Sequence, residues 1–198
     1  MPDIAKKAAE KENSPLKASS RIMEQSLPLN APAPSAPPAD NLQRVRGELL
    51  HAVIAEFAKK SAETDILAIN DVLSSIYDSL YGFYFSEKGV FSKEEDIRLL
   101  ENFINNEEIK PFFEKKADTE MLPEAEFIDS AGTLIRIDMA RISLDCITVV
   151  DFKTGNPYPE EYRRQVRHYM NVLEQAYEKR TKGYIAYINP PGIEEIGS

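Results

Sequence analysis

The chain has 198 residues, a formal net charge of −9, 42% apolar and 29% charged residues. These are proportions of one globular domain, or of one domain with a tail, and no apolar run approaches the roughly 18 residues of a membrane span. The single cysteine, Cys146, excludes an internal disulfide framework and any four-cysteine zinc or iron–sulfur site, while the polar start MPDIAKKAAEKENS lacks the apolar core of a secretory signal, so a reducing cytoplasm is expected.

Seven of the 13 prolines lie in the first 40 residues, five of them in SLPLNAPAPSAPPAD (Ser26–Asp40). That composition neither continues a helix nor builds a core, so residues 1–40 are expected to be a disordered Pro/Ala-rich tail or interdomain linker, with residues 41–198 as the folded domain. Acidic and basic residues balance in the tail, so the whole negative charge belongs to the domain. An acidic domain is a poor nucleic-acid coat, but carboxylates are plentiful as metal ligands, whereas two histidines, His51 and His168, are too few for an all-histidine site.

From Leu42 a helical period carries Val45, Leu49, Val53 and Phe57 on one stripe, widened by Leu50 and Ile54. A second helix is expected over Asp65–Phe85, with Ile66, Ile69, Leu73, Ile76, Leu80 and Phe83 inward. A third begins at Ser92, where SKEE has the form of a capping box, and buries Ile97, Leu100 and Ile104. A short helix kinked at Pro111 is expected over Glu107–Lys116. After Met121 the period falls to two: EAEFI, TLIRIDMARIS and CITVVDFK read as consecutive antiparallel strands. Helix returns over Pro159–Arg180, and GYIAYIN (Gly183–Asn189) reads as a last strand. The order implies an α/β (α+β) fold with a small mixed sheet and an N-terminal helical part.

The chemistry concentrates on the second and third strands. Asp138 sits among apolar neighbours, where a carboxylate is costly to bury unless paired; a salt bridge to Arg136 or Arg141 is the plain alternative. Asp151 and Lys153, two apart, share a face. A hairpin turning at Leu144–Asp145 pairs Ser143 with Cys146, and the same register carried inward sets Asp138 directly opposite Asp151. Facing carboxylates repel, and a divalent cation between them, Mg²⁺ or Mn²⁺, explains their placement better than a structural role. Lys153 beside them can offset charge developing on a phosphate. His51 lies in a small-residue stripe with Gly47, Ala55 and Ala58, which lets its helix approach the sheet; a hydrogen-bonded core histidine is the alternative. Gln165 and Tyr169 share a helix face. Around them Arg163, Arg164 and Arg167, with Lys179, Arg180 and Lys182 against four glutamates, make Glu160–Lys182 net positive, as expected if phosphates approach there, although an ordinary solvated face has the same look.

The pieces RGELLH (Arg46–His51), RID (Arg136–Asp138), VVDFKTG (Val149–Gly155) and QVRHY (Gln165–Tyr169), in this order, resemble the PD-(D/E)XK nuclease superfamily, and most of all the RecB/AddA-type nuclease domains attached to UvrD-family helicases. The resemblance covers about residues 44–190. It implies a restriction-endonuclease-like core and a Mg²⁺-dependent (or Mn²⁺-dependent) deoxyribonuclease of exonuclease type, acting on linear ends or single strands in recombination or double-strand-break repair. It further implies His51, Asp138, Asp151 and the Phe152 backbone carbonyl as metal ligands, Lys153 as the catalytic lysine, Gln165 and Tyr169 as supporting residues, and Glu124 or Glu126 of EAEF, with Glu124 preferred, as a glutamate on the preceding strand. The chain departs from AddB-like relatives in having no four-cysteine iron–sulfur cluster. It also has no G-x-x-x-x-G-K-[ST] phosphate loop, so a helicase motor would be a separate domain or subunit. A stand-alone phage-type or structure-specific nuclease of the same superfamily, or a decayed DNA-binding or scaffolding module, are the rival readings; the intact D…D-x-K set disfavours decay.

Overall fold

The stripe that starts at Leu42 becomes the buried face of the first helix. In the computed structural model, which describes residues 39–63, 68–85, 90–155 and 159–197, α1 spans Ala39–Glu63, α2 Ile69–Tyr84 and α3 Lys93–Ile104. A single 3-10 turn follows at Lys110–Phe112. Then come β1 (Glu120–Ile128), β2 (Leu134–Ile142), β3 (Cys146–Lys153), α4 (Pro159–Tyr177), β4 (Arg180–Tyr187) and β5 (Gly192–Ile196). The sheet runs β1-β2-β3-β4-β5. Its pairs are antiparallel except β3–β4, which are parallel and joined through α4, so the sheet is mixed, as the residue pattern implied. The tail expected over residues 1–40 lies outside the described residues, save that Ala39 and Asp40 already belong to α1; Ile66 also lies outside them. Among the described residues no helix is long and apolar enough to cross a membrane.

Each sheet face has its own core. Leu49, Val53, Ile54 and Phe57 of α1, with Leu73, Ile76, Leu100 and Phe103, pack on Met139, Val150 and Phe152. Val166, Tyr169, Met170 and Leu173 of α4 pack on Ala140, Ile142, Val149 and Ile185 of the other face. Two glycines let these layers close. A Cβ on Gly183 of β4 would lie 2.5 Å from Val166 Cγ1 and Met170 Sδ, so only glycine seats α4 at this depth. Ser92 caps α3, its side chain accepting from Glu95 N–H, which is the role its sequence context predicted.

Four expectations are corrected. Phe83 is not inward: it is 85% exposed at the end of α2, and Tyr77 takes the buried position. The helix over Glu107–Lys116 shrinks to the 3-10 turn because Pro111 removes a donor and Phe113 turns into the core against Phe57 and Phe152. The last helix stops at Tyr177, so the final strand begins at Arg180, earlier than Gly183. Finally, β5 was not anticipated: GIEEI is short and carries two glutamates, and it pairs only with β4 at the sheet edge.

The three helices are tied by a buried charge that their periodicity does not reveal. Asp96 of α3 is fully buried. It accepts from Arg46 Nε of α1 at 2.8 Å and from the Tyr77 hydroxyl of α2 at 2.7 Å, and the Arg46 guanidinium covers the Phe91 ring. Burial, and then the hydrogen bond to Asp96, push the Tyr77 phenol far up. Asp96→Ala strands Arg46 and Tyr77 together. It should cost about 3 kcal/mol, the low end for a broken buried pair because Arg46 keeps some access to water; urea unfolding against the parent chain checks this.

Candidate active site

The site grows out of a missing rung. In the β1–β2 ladder Pro123 pairs with Met139 and Ala125 with Ile137, but Glu124 and Asp138 between them do not pair. Glu124 has a φ of 49°, unusual for a residue with a side chain. The break inverts the strand. Ile135 and Ile137 pack with the α4 layer, yet so do Ala140 and Ile142, which an uninterrupted two-residue alternation forbids. The even apolar face expected around Asp138 therefore does not exist, and Leu134 at its far end is exposed.

The β2–β3 hairpin has the predicted register, from Ile142↔Ile147 to Met139↔Val150. Leu144-Asp145 is a poor two-residue turn, but the Ser143 side chain closes it by bonding Cys146 N–H and C=O at 3.2 and 2.8 Å. The ladder stops one rung short of Asp138 and Asp151. Instead of a strand partner, the Phe152 N–H finds Asp138 Oδ2 at 2.7 Å, so the carboxylate itself replaces the next backbone acceptor.

His51 reaches this point from α1, its Nδ1 3.6 Å from Asp138 Oδ2; that is an ion-pair distance, too long for a regular hydrogen bond. Gly47, one turn earlier, permits the approach: a Cβ there would lie 2.8 Å from Thr154 Oγ1, just past the end of β3. Lys153 shares a face with Asp151, as its spacing predicted, and its Nζ lies 2.6 Å from Asp151 Oδ2. The ammonium also donates to Gln165 Oε1 at 3.1 Å and sits 4.7 Å above the Tyr162 ring. Gln165 Nε2 donates in turn to the Tyr169 hydroxyl at 2.5 Å, so α4 sets the lysine's direction through one amide.

The electrostatics are unequal. Asp151 is pushed up to about 6, first by burial and then by the neighbouring Asp138 charge. Its Oδ2 is buried and takes no hydrogen bond of regular angle despite the nearby ammonium. Burial also pushes Asp138 up, but the His51 imidazole, the Phe152 N–H and the Lys153 charge together outweigh it and leave Asp138 below its ordinary value.

The structure therefore brings His51, Asp138, Asp151, Lys153, Gln165 and Tyr169 together. Glu124 stands at the register position beside Asp138, near enough to Tyr84 that its charge, after burial, pushes that phenol up. Arg163 is held by Glu160 and by Glu194 of β5, whereas Arg164 and Arg167 are exposed. Neither Arg136 nor Arg141 forms the salt bridge to Asp138 that was the plain alternative: Arg141 donates instead to the carbonyls of Pro111 and Glu114. Tyr162 and Thr154 were not singled out from the residue pattern, although Tyr162 lies one helical turn before Gln165.

Among the described residues no three or more His, Cys, Asp or Glu side chains converge as a ready cation cage. The donor chemistry nevertheless fits a hard divalent ion: two adjacent carboxylates raise each other's energy, and one buried oxygen lacks a regular partner. A model of the PD-(D/E)XK nuclease superfamily matches residues 23–196. The chain belongs to that superfamily. No curated protein sequence matches it. Within this nuclease superfamily the mixed five-stranded sheet with flanking helices is the restriction-endonuclease-like arrangement.

The raised Asp151 group makes a signed prediction for metal-free protein. A carboxyl held at about 6 rather than its ordinary 3.8 binds its proton more tightly when folded. Stability should therefore fall as pH rises from about 4 to above 6, and the ionised form should cost about 3 kcal/mol at neutral pH. Asp151→Asn in EDTA should flatten that slope and melt higher than the parent at pH 7. Thermal melting from pH 4 to 8 measures it.

Proposed function

We propose that the chain is a divalent-cation-dependent deoxyribonuclease that hydrolyses phosphodiester bonds from DNA ends or single strands. The observation that carries this reading is the adjacency of part-buried Asp138 to buried Asp151, with the Lys153 ammonium 2.6 Å from Asp151 and steered by Gln165. A structural protein gains nothing from a buried carboxyl raised further by the charge of a second one beside it; a phosphoryl-transfer site needs such a set.

Each residue then has a task. Asp138, Asp151 and His51 would hold Mg²⁺ or Mn²⁺. The Phe152 carbonyl would be the fourth donor: in an extended strand a residue's N–H and C=O point to the same side, and the Phe152 N–H already points at Asp138 beyond the last β2–β3 rung. The ion, when bound, supplies Lewis-acid polarisation of the phosphodiester and acidifies water at neutral pH. Lys153, beside Asp151 and directed by Gln165 and Tyr162, positions the attacking water or offsets charge gathering on the phosphorus oxygens. Tyr169, against Gln165, keeps the amide from rotating away. Arg164 and Arg167, exposed on α4, meet flanking phosphates, with Arg163 fixing the helix to β5.

The reading extends to context. A domain carrying −9 repels DNA at a distance. Supply of strands by a UvrD-type helicase joined to it or bound beside it, in recombination or double-strand-break repair, would raise the local concentration at the site.

Asp138→Ala, Asp151→Ala and Lys153→Met should each lower Mg²⁺-dependent degradation of linear DNA at least ~100-fold, and EDTA should abolish it for the parent. Covalently closed circles should survive where linear DNA is degraded. Wild-type rates in either aspartate variant would overturn the site; equal loss of circles would overturn the dependence on ends. A helicase in the same reaction should accelerate degradation of long duplex, and no acceleration would leave a stand-alone nuclease.

A further inference from the structure

A groove beside this site has not been given a role. A cavity of about 300 Å³ lies between α1 and the segments that follow β3 and β4, with Gln43, Thr154, Ile188 and Asn189 among its walls. A second, of about 190 Å³, extends it along α3 to Arg98. The two share Leu99, Ile188 and Asn189, so they form one continuous groove. It sits at the carboxyl ends of the parallel pair β3–β4, where open α/β sheets place their ligands, and its larger part reaches the lower bound of ~300–1,000 Å³ for small-molecule sites.

Its position and chemistry both point to one occupant. Thr154 directly follows Lys153, and Gly47, which also lines the larger cavity, is one turn from His51, so the groove begins where the carboxylate site ends. Leu99 and Ile188 offer an apolar floor. Gln43 and Asn189 carry side-chain amides with no hydrogen bond among the described residues, and Arg98 is exposed and pairs with no carboxylate among them. Glu95 is the acidic lining residue of the outer cavity; it is exposed, one turn before Leu99 and beside Arg98 on α3. An apolar floor flanked by amide donors, with a cation further out, suits an unstacked base followed by its phosphate. A duplex keeps its base faces stacked inside and cannot use such a floor.

We infer that this groove is a binding subsite for the nucleotides flanking the scissile phosphate of a single-stranded polynucleotide, with the base on Leu99 and Ile188, its edge on Gln43 and Asn189, and the next phosphate at Arg98. The inference rests on the nuclease reading for its orientation but not for its occupancy, because the groove itself contains none of the proposed metal ligands.

The test uses the full chain and two variants, Arg98→Ala and Leu99→Glu, the first on an exposed residue that the fold does not need. Fluorescence anisotropy in EDTA measures binding of a labelled 20-nucleotide oligothymidylate and of a blunt duplex of equal length. Turnover of bis(p-nitrophenyl) phosphate with Mg²⁺ or Mn²⁺ measures the site without flanking nucleotides. The parent should prefer the single strand, each variant should bind it about tenfold more weakly, and turnover of the small diester should stay at the parent's level. Unchanged single-strand binding in both variants, a preference for duplex, or equal loss of binding and small-diester turnover would each overturn the subsite. Groove-dependent binding without any cleavage by the parent would retain the subsite and overturn the nuclease reading; cleavage indifferent to both variants would do the reverse.

Discussion

Everything near the site answers to one constraint: a buried carboxylate, Asp151, held beside a second, part-buried one, Asp138. Two unit charges at the ~5 Å spacing of facing strand side chains repel by roughly 3 kcal/mol at an effective dielectric near 20, large against the net stability of a domain this size. The fold counters it with specific groups. Lys153 faces Asp151, the Phe152 N–H and the His51 imidazole face Asp138, and the remaining imbalance shows as the raised Asp151 group. The β1–β2 break at Glu124 falls at the same rung, where Asp138 has no strand partner on β1.

That arrangement holds only if two helices approach the sheet more closely than side chains ordinarily allow. Gly47 brings α1 against Thr154, and Gly183 lets α4 sink until Val166 and Met170 touch β4. His51 rides on the first helix, and Gln165 and Tyr169 ride on the second. The Asp96 centre then locks α1 to α2 and α3 through Arg46, the residue preceding Gly47. A charge network centred on Asp96, far from Asp138 in the chain, thus fixes the helix that aims the imidazole. The helical N-terminal half is therefore part of the site's support.

How much of this could be read from residues alone depended on the range of the interaction. The Asp138–Asp151 juxtaposition followed from strand parity and a short turn, both local, and the observed register agrees up to the rung before them. The shared face of Asp151 and Lys153, and the α1 stripe, are equally local. Glu124 and Asp138 leaving their ladder was not legible, because β1 packs against α1, far away in the chain, and residue pattern alone does not show that packing. Asp96 lay hidden inside what read as a helix-capping sequence, where acidic residues are expected for their own reasons. Phe83 had the right spacing for a core position but sits where α2 runs out of partner surface, and β5 carries a strand pairing that its two glutamates disguise. Arg163 read as part of a basic face; its neutralisation by Glu194 required the unanticipated strand.

The bookkeeping of cations connects these points to DNA. Arg44 is paired with Glu48, Arg46 with Asp96, Arg163 with Glu160 and Glu194, and Lys153 with Asp151, while Arg141 is spent on backbone carbonyls. Among the described residues Arg98, Arg136, Arg164, Arg167 and Arg180 carry no ion pair. Counterion release scales with the phosphates actually neutralised, so in a domain of net −9 these arginines, with lysines such as Lys179 and Lys182 that have no carboxylate partner among the described residues, supply the attraction against the field of the rest. On the proposed reading, contacts that do not depend on charge, such as a base laid on Leu99 and Ile188, would then carry a larger share of the binding than in a basic nuclease.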